Sequence, residues 1–422
     1  MADVKQLKHL EHLEDEMLNE GVAGCKKIVQ DLQAVRKIFG CKGGDAGFLQ
    51  TKWDGKPSVI CGIDPANGFF FVSTKGALNK KPVCCYGHTS VEDNFGKIPD
   101  LADKLKQCYT HFKPLGIKGI IQGDLLYVKG ASFDKGGLSS ETIDGVDHWV
   151  FKPNTIKYAI PKKHPIGKQV SSHQIGVVFH THYSGPDGRI HHKQLLSELS
   201  DKPGIRGENL KPSSTVLNIE NDTPVAEIGF DHAEEMKFDQ TVKEIESECK
   251  KCGPFLDELV GLGGGKGNPK GEEKFHIAPY VKSYFNDEVK PKSISQVTSN
   301  IDDTITQLLA FYHKKMDKFI SGYKNGNTIA EKKKLVGESV LFVANNRSNF
   351  TSLLKLYKKV QSLKQQIIDK LDLLEKDWKM FAKSDSTTFE TTSHEGYVLH
   401  RDGDRVKLVN RLEFSKFNFL FQ

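Results

Sequence analysis

A lysine set in Lys52-Trp53-Asp54-Gly55 is the first candidate for chemistry in this chain. Strand-like segments flank it, so Lys52 is expected at a loop or strand edge, with Gly55 allowing a tight bend. A lysine amine attacks an electrophile only when unprotonated, and with an ordinary pKa of about 10.4 it is almost wholly charged at neutral pH. Neighbouring cations lower that pKa. Further short elements follow in order: STKG at 73–76, QGDLLY at 122–127, VVFHTHYSG at 177–185, HEGYVL at 394–399 and RVKLV at 405–409. They supply basic side chains suited to phosphate groups, and acids beside glycine suited to a divalent cation or to hydroxyl groups. Each motif alone is a common loop sequence; their number and order carry the signal.

The series resembles the covalent nucleotidyltransferase superfamily of ATP-dependent ligases and mRNA capping enzymes, most of all the phage-encoded RNA ligases. The resemblance covers the segments from about Gly47 to Tyr183 and from Glu395 to Val409, not the region between them. It implies that Lys52 is the nucleophile, with Asp54 and Gly55 completing its motif. Lys75 matches the family's next basic residue, Asp124 its acid after a glycine, Glu395 and Gly396 its Glu-Gly, and Arg405 and Lys407 its final basic pair. Phe179 matches the aromatic ring that stacks on the purine. Asp124 and Glu395 would hold Mg²⁺ or Mn²⁺.

The reaction so implied consists of three phosphoryl-group transfers in one pocket. Lys52 takes AMP from ATP, a 5′-phosphate oxygen takes AMP from Lys52, and a 3′-hydroxyl then displaces AMP from the activated end. Lys75, Arg405 and Lys407 would discourage protonation of Lys52 and neutralise the triphosphate and departing pyrophosphate. The expectation is an AMP-forming, ATP-dependent RNA ligase that joins nucleic-acid ends in repair. Departures from the pattern exist. Lys56 and Pro57 stand where an arginine is common, and the final basic pair begins with Arg405. The chain stops at Gln422 without the barrel domain of DNA ligases and capping enzymes, which favours RNA ligase over both. The alternatives are a DNA ligase, a capping-type guanylyltransferase, or an inactive nucleic-acid-binding relative. Several residues also have structural readings: Asp124 and Glu395 as turn or hairpin acids, Phe179 as core, His180 and His182 as structural histidines.

The elements that must position these residues have distinct textures. Residues 1–46 carry Leu, Ile and Val at helical spacing, and 47–232 alternate short β-branched and aromatic runs with turns, apart from a helix near Ile98 to Phe112. Residues 233–388 return to helical spacing, with amphipathic stripes through Ile301–Phe319 and Leu353–Leu374, and 389–422 read as a hairpin turning at Asp402-Gly403. The fold class is α+β, and the resemblance implies a nucleotidyltransferase domain of ATP-grasp-like antiparallel sheets with flanking helices, interrupted by a mainly helical domain. GLGGGKGNPKG at 261–271 is a linker or turn, because Gly267 follows Lys266 where a phosphate loop needs Ser or Thr. The lysines Lys355, Lys358, Lys359 and Lys364 form a solvated face or a nucleic-acid tract.

Composition sets the outer bounds. At 422 residues the chain is expected to form two or three domains. Its hydrophobic fraction of 37% and lack of a long apolar run exclude a membrane-dominated protein, and the N-terminus shows no signal-peptide pattern. A cytoplasmic location follows, the host cytoplasm if phage-encoded. Eight cysteines without regular spacing are expected as thiols, and Cys249-Lys-Lys-Cys252 lacks partners for a zinc site. The net charge of +6 mildly favours a polyanionic partner.

Overall fold

The computed structural model describes residues 10–40, 47–154, 156–203, 210–219, 229–266, 269–287, 300–373, 379–383, 389–392, 396–401 and 404–410. They form a mixed α+β structure with three sheets and a helical region. The smallest sheet joins both ends of the chain: β1 (Phe48–Thr51) pairs antiparallel with β13 (Tyr397–Arg401), and β13 with β14 (Asp404–Leu408). Strand alternation divides its side chains. Leu49, Tyr397, Leu399, Val406 and Leu408 point into one large apolar core, whereas Phe48, Gln50, Val398, His400, Arg405 and Lys407 share the opposite face.

The core under this small sheet is helical. It is built from α1 (Glu16–Phe39), α5 (His232–Gly261), α6 (Ala278–Asp287), α7 (Ile301–Ile320), α8 (Gly326–Asn345) and α9 (Arg347–Asp372). Apart from exposed Phe319, and Leu374 outside the described residues, the stripes expected from the sequence lie on the packed faces of α7 and α9, including Ile305, Leu308 and Tyr312 on one and Leu353, Leu356, Val360 and Leu363 on the other. Helix starts follow local chemistry. Asp231 and Glu234 form a reciprocal capping box at α5, and the Asn300 side chain accepts from the first amides of α7. The N-terminal helix α1 lies along α5 in this same core, so residues expected as a separate helical preface and those of the later helical region are one packed unit.

The second sheet runs β10-β8-β4-β2-β3, with β9 (Ser200–Pro203) on β8. Its strands β2 (Ser58–Ile63), β3 (Phe70–Ser73), β4 (Ile120–Val128) and β8 (Ile175–Ser184) coincide with the runs picked out in the sequence; β10 is Val216–Asn218. Helix α3 (Pro99–Phe112) covers one face through Leu105, Cys108 and Phe112. The third sheet, β12-β11-β7-β6-β5, combines β5 (Leu138–Ile143), β6 (Val146–Phe151) and β7 (Lys157–Pro161) with β11 (Lys379–Lys383) and β12 (Phe389–Thr392). Strand β11 thus falls inside the stretch expected to be helical, where its pairing with β7 supplies the backbone partners that local sequence does not advertise.

The VAEIGF run, Glu395 and the Asp402-Gly403 turn lie wholly or largely outside the described residues. Cys25 and Cys249 are free thiols buried in the core shared by α1 and α5, and the described residues hold no cluster of three or more groups able to bind a metal. No described helix is long and apolar enough to cross a membrane.

Candidate active site

The Lys52 loop is fixed at both ends by backbone bonds. The Lys52 N–H donates to the Gly396 carbonyl at 2.8 Å, extending the pairing of β1 with β13 by one residue, and the Lys56 N–H donates to Leu125 at 2.9 Å. Between them Trp53 is buried against Tyr158, their rings 4.9 Å apart. The Asp54 N–H donates to the Tyr158 hydroxyl at 2.7 Å, and the Asn154 amide donates to the Asp54 carboxylate at 2.9 Å. Gly55 is there for space: a Cβ on it would stand 2.6 Å from the Asp124 Cβ and 3.0 Å from the Leu125 carbonyl. The bend therefore presses the loop directly onto β4 beside Asp124.

Asp124 is the acidic centre of the described cleft, its side chain 24% exposed and 3.4 Å from His180 Nε2. Burial works to raise its pKa, but the His180 ring, a hydrogen bond with Ser58 and the nearby Lys52 charge outweigh it and hold the carboxyl below its ordinary value. The His180 Nδ1 is 2.8 Å from the Thr181 hydroxyl, which accepts from Arg405 Nη1 at 3.2 Å. Arg405 also pairs with Asp201 of β9. Burial pulls the Arg405 guanidinium below its ordinary pKa, partly opposed by Tyr183. Polar groups thus run from Lys52 through Asp124, His180 and Thr181 to Arg405, across the gap between the first and second sheets.

The segments that carry Lys52 and Arg405 are therefore neighbours. Arg405 and Lys407 alternate with buried Val406 and Leu408, so both belong to the sheet face on which Lys52 continues the row of Phe48 and Gln50. The Lys407 backbone is held from outside too, its N–H donating to the Glu11 carbonyl at 2.8 Å.

Two expected members stand elsewhere. Lys75 is exposed at the start of a short 3-10 turn (Lys75–Leu78), two residues past β3, and no described contact joins it to Lys52 or Asp124. Phe179 is 3% exposed in the core under α3, its ring 5.2 Å from that of Phe112. A Cβ on Gly123 would lie 2.6 Å from the Phe179 ring, so Phe179 occupies the Gly123 side of the sheet while Asp124 takes the other. The ring matched to the purine platform is instead a core side chain here, because burial against α3 claims that face of β8.

Comparison with known proteins gives the family. The one described as a family of unknown function (DUF6267) matches residues 7–422. The chain belongs to it. No curated protein and no solved structure matches.

In this DUF6267 chain several side chains around the cleft were given no role from the sequence. Asn154 and Tyr158 hold the Lys52 loop, while Gln122 donates to Ser58 at 2.9 Å and accepts from Tyr183. His400 lies on the cleft side of β13, 3% exposed, stacked on Phe48 with ring centroids 4.5 Å apart. Both its ring nitrogens are buried without a hydrogen-bond partner. Burial and the adjacent His180 drive its pKa down to about 3, so it is neutral. The only signal for His400 was its place five residues after Glu395, and the Phe48 it stacks on is more than 300 residues away in sequence.

Proposed function

We propose that this chain is an ATP-dependent RNA ligase with a nucleotidyltransferase arrangement of sheets, joining 5′-phosphate and 3′-hydroxyl ends through a Lys52-AMP intermediate. One observation carries the reading: β1 pairs with β13, which in turn pairs with β14, so the lysine of Lys-x-Asp-Gly shares a sheet face with the Arg405 and Lys407 of the distant final motif. Nothing local to either segment demands that meeting, yet the chemistry does.

The Lys52 amine attacks the α-phosphorus of ATP, forming a nitrogen–phosphorus bond as the bond to the bridging oxygen breaks and pyrophosphate leaves. Arg405 and Lys407 add positive charge where the triphosphate would lie and favour the neutral amine, whereas Asp124 favours the ammonium in the free protein. Asp124, with Glu395 of the matched Glu-Gly, would hold a divalent cation, which would supply positive charge to the phosphates and offset the pull of the Asp124 carboxylate on the Lys52 proton. A 5′-phosphate oxygen then displaces the lysine nitrogen, and a 3′-hydroxyl displaces AMP, leaving a phosphodiester. The buried Phe179 leaves base recognition to other groups on the cleft face.

The test is incubation with α-labelled ATP and Mg²⁺ or Mn²⁺, followed by a denaturing gel and by sealing assays on single-stranded RNA, nicked duplexes and broken hairpins. The proposal expects a labelled band for the wild type, none for Lys52→Ala, and RNA sealing. Labelling by GTP alone would move the assignment to a capping-type enzyme, and sealing of DNA alone to a DNA ligase. No label with any nucleotide would leave an inactive relative.

A further inference from the structure

Positive charge is concentrated far along the chain from the cleft motifs. Residues 313–334 carry seven lysines and two acids, a local excess of +5 in a chain whose net charge is +6. This segment is the end of α7, the connection 321–325 and the first turns of α8. Some of its lysines have intramolecular roles: Lys315 lies over the Phe311 ring, Lys332 over Phe275, and Lys334 is 3.8 Å from Glu338. Lys318, Lys324 and Lys333 are exposed, with no ion pair among the described residues.

Two aromatic rings stand among these cations. Phe319 is 44% exposed and Tyr323 40%. Phe319 follows buried Met316 by three residues and buried Tyr312 by seven, which puts it on the same stripe of α7. The stripe overruns the core, and its last large side chain faces solvent. Burial explains neither that ring nor the local charge excess.

A partner for this surface must be anionic and must offer flat apolar faces. Single-stranded nucleic acid meets both needs, since bases stack on aromatic rings while lysines neutralise phosphates. We propose that the α7–α8 turn binds single-stranded RNA, with Phe319 and Tyr323 as base platforms and Lys318, Lys324 and Lys333 as phosphate contacts. The choice of RNA rests on the ligase reading; the surface itself does not depend on Lys52 chemistry.

The test is fluorescence anisotropy of the full chain with an unstructured, end-labelled RNA oligonucleotide across a salt series. Phe319→Ala/Tyr323→Ala should weaken single-strand binding by about tenfold or more and affect duplex RNA less, because paired bases are not free to stack. Lys318→Glu/Lys324→Glu should weaken binding and flatten its salt dependence. Both variants should melt like the wild type and still take label from α-labelled ATP, while Lys52→Ala should bind RNA normally. Unchanged RNA affinity in both double variants overturns the proposal. So does a preference for anionic phospholipid vesicles over RNA that the same substitutions abolish. Loss of RNA binding in a chain that never labels Lys52 would instead sink the ligase reading and leave this surface standing.

Discussion

Asp124 and His400 both resist protonation, one as an anion and the other as a neutral ring. The Asp124 carboxyl is held below its ordinary pKa, so its contribution to stability is present above that value and is lost as the pH falls through the folded one. Asp124→Asn should reduce Lys52 adenylylation by about a hundredfold or more, in line with the loss of a group that positions charge at a reacting phosphate; an unchanged single-turnover rate would remove Asp124 from the mechanism. His400 adds to the same trend. Its pKa falls from 6.5 to about 3 on folding, so the unfolded chain binds the extra proton between those values and stability declines as the pH is lowered through that window. His400→Phe keeps the stack on Phe48, removes two unpartnered nitrogens and should flatten the decline, seen as smaller losses of denaturation free energy between pH 6.5 and 4. An unaltered pH slope would show that the ring is not held neutral. Neither behaviour was legible in the sequence, where Asp124 was marked by its glycine but His400 looked like any strand residue.

At the level of elements, the segment before α1 behaves as a clasp on the final hairpin. Its Glu11 carbonyl receives the Lys407 N–H, and two buried acids follow: Glu14 accepts from Lys364 of α9 at 2.7 and 2.8 Å, and Asp15 accepts from the Tyr357 hydroxyl at 2.9 Å. Lys364→Met should lower the unfolding free energy by about 3–5 kcal/mol by stranding the Glu14 charge, and adding Glu14→Gln should restore most of it. Equal stability of the single and double variants in chemical denaturation would contradict this. These pairs revise the reading of α9 as an exposed lysine face. Lys364 is buried, Lys359 pairs with Glu244 and Glu248, and Lys370 with Glu234, so Glu14 before α1 and the acids of α5 claim much of that charge. Helical period and strand alternation located most elements, because both depend on near neighbours. They could not reveal which acid a lysine would meet from another helix, nor that β11 would find its partner in β7.

On the scale of the whole molecule, the order of motifs in the sequence becomes proximity in space. The return of strand texture near the C-terminus was readable, whereas its pairing with the segment before Lys52 was only an expectation drawn from a resemblance. What could not be read was that this small sheet would rest on the helical core, its apolar side on α1 and α9 and its polar side toward β8. The helical region therefore supports the sheet that carries Lys52 directly, and the Phe179 position shows how the same sequence pattern can be taken by a core. The central claim is that the Lys52 nitrogen carries AMP in a cleft completed by the far end of the chain. Peptide mapping by mass spectrometry after incubation with ATP and Mg²⁺ reads this most directly. The prediction is AMP on Lys52 in the wild type and its loss in Arg405→Ala/Lys407→Ala; AMP on another residue, or full modification of Lys52 without the two basic side chains, would contradict it.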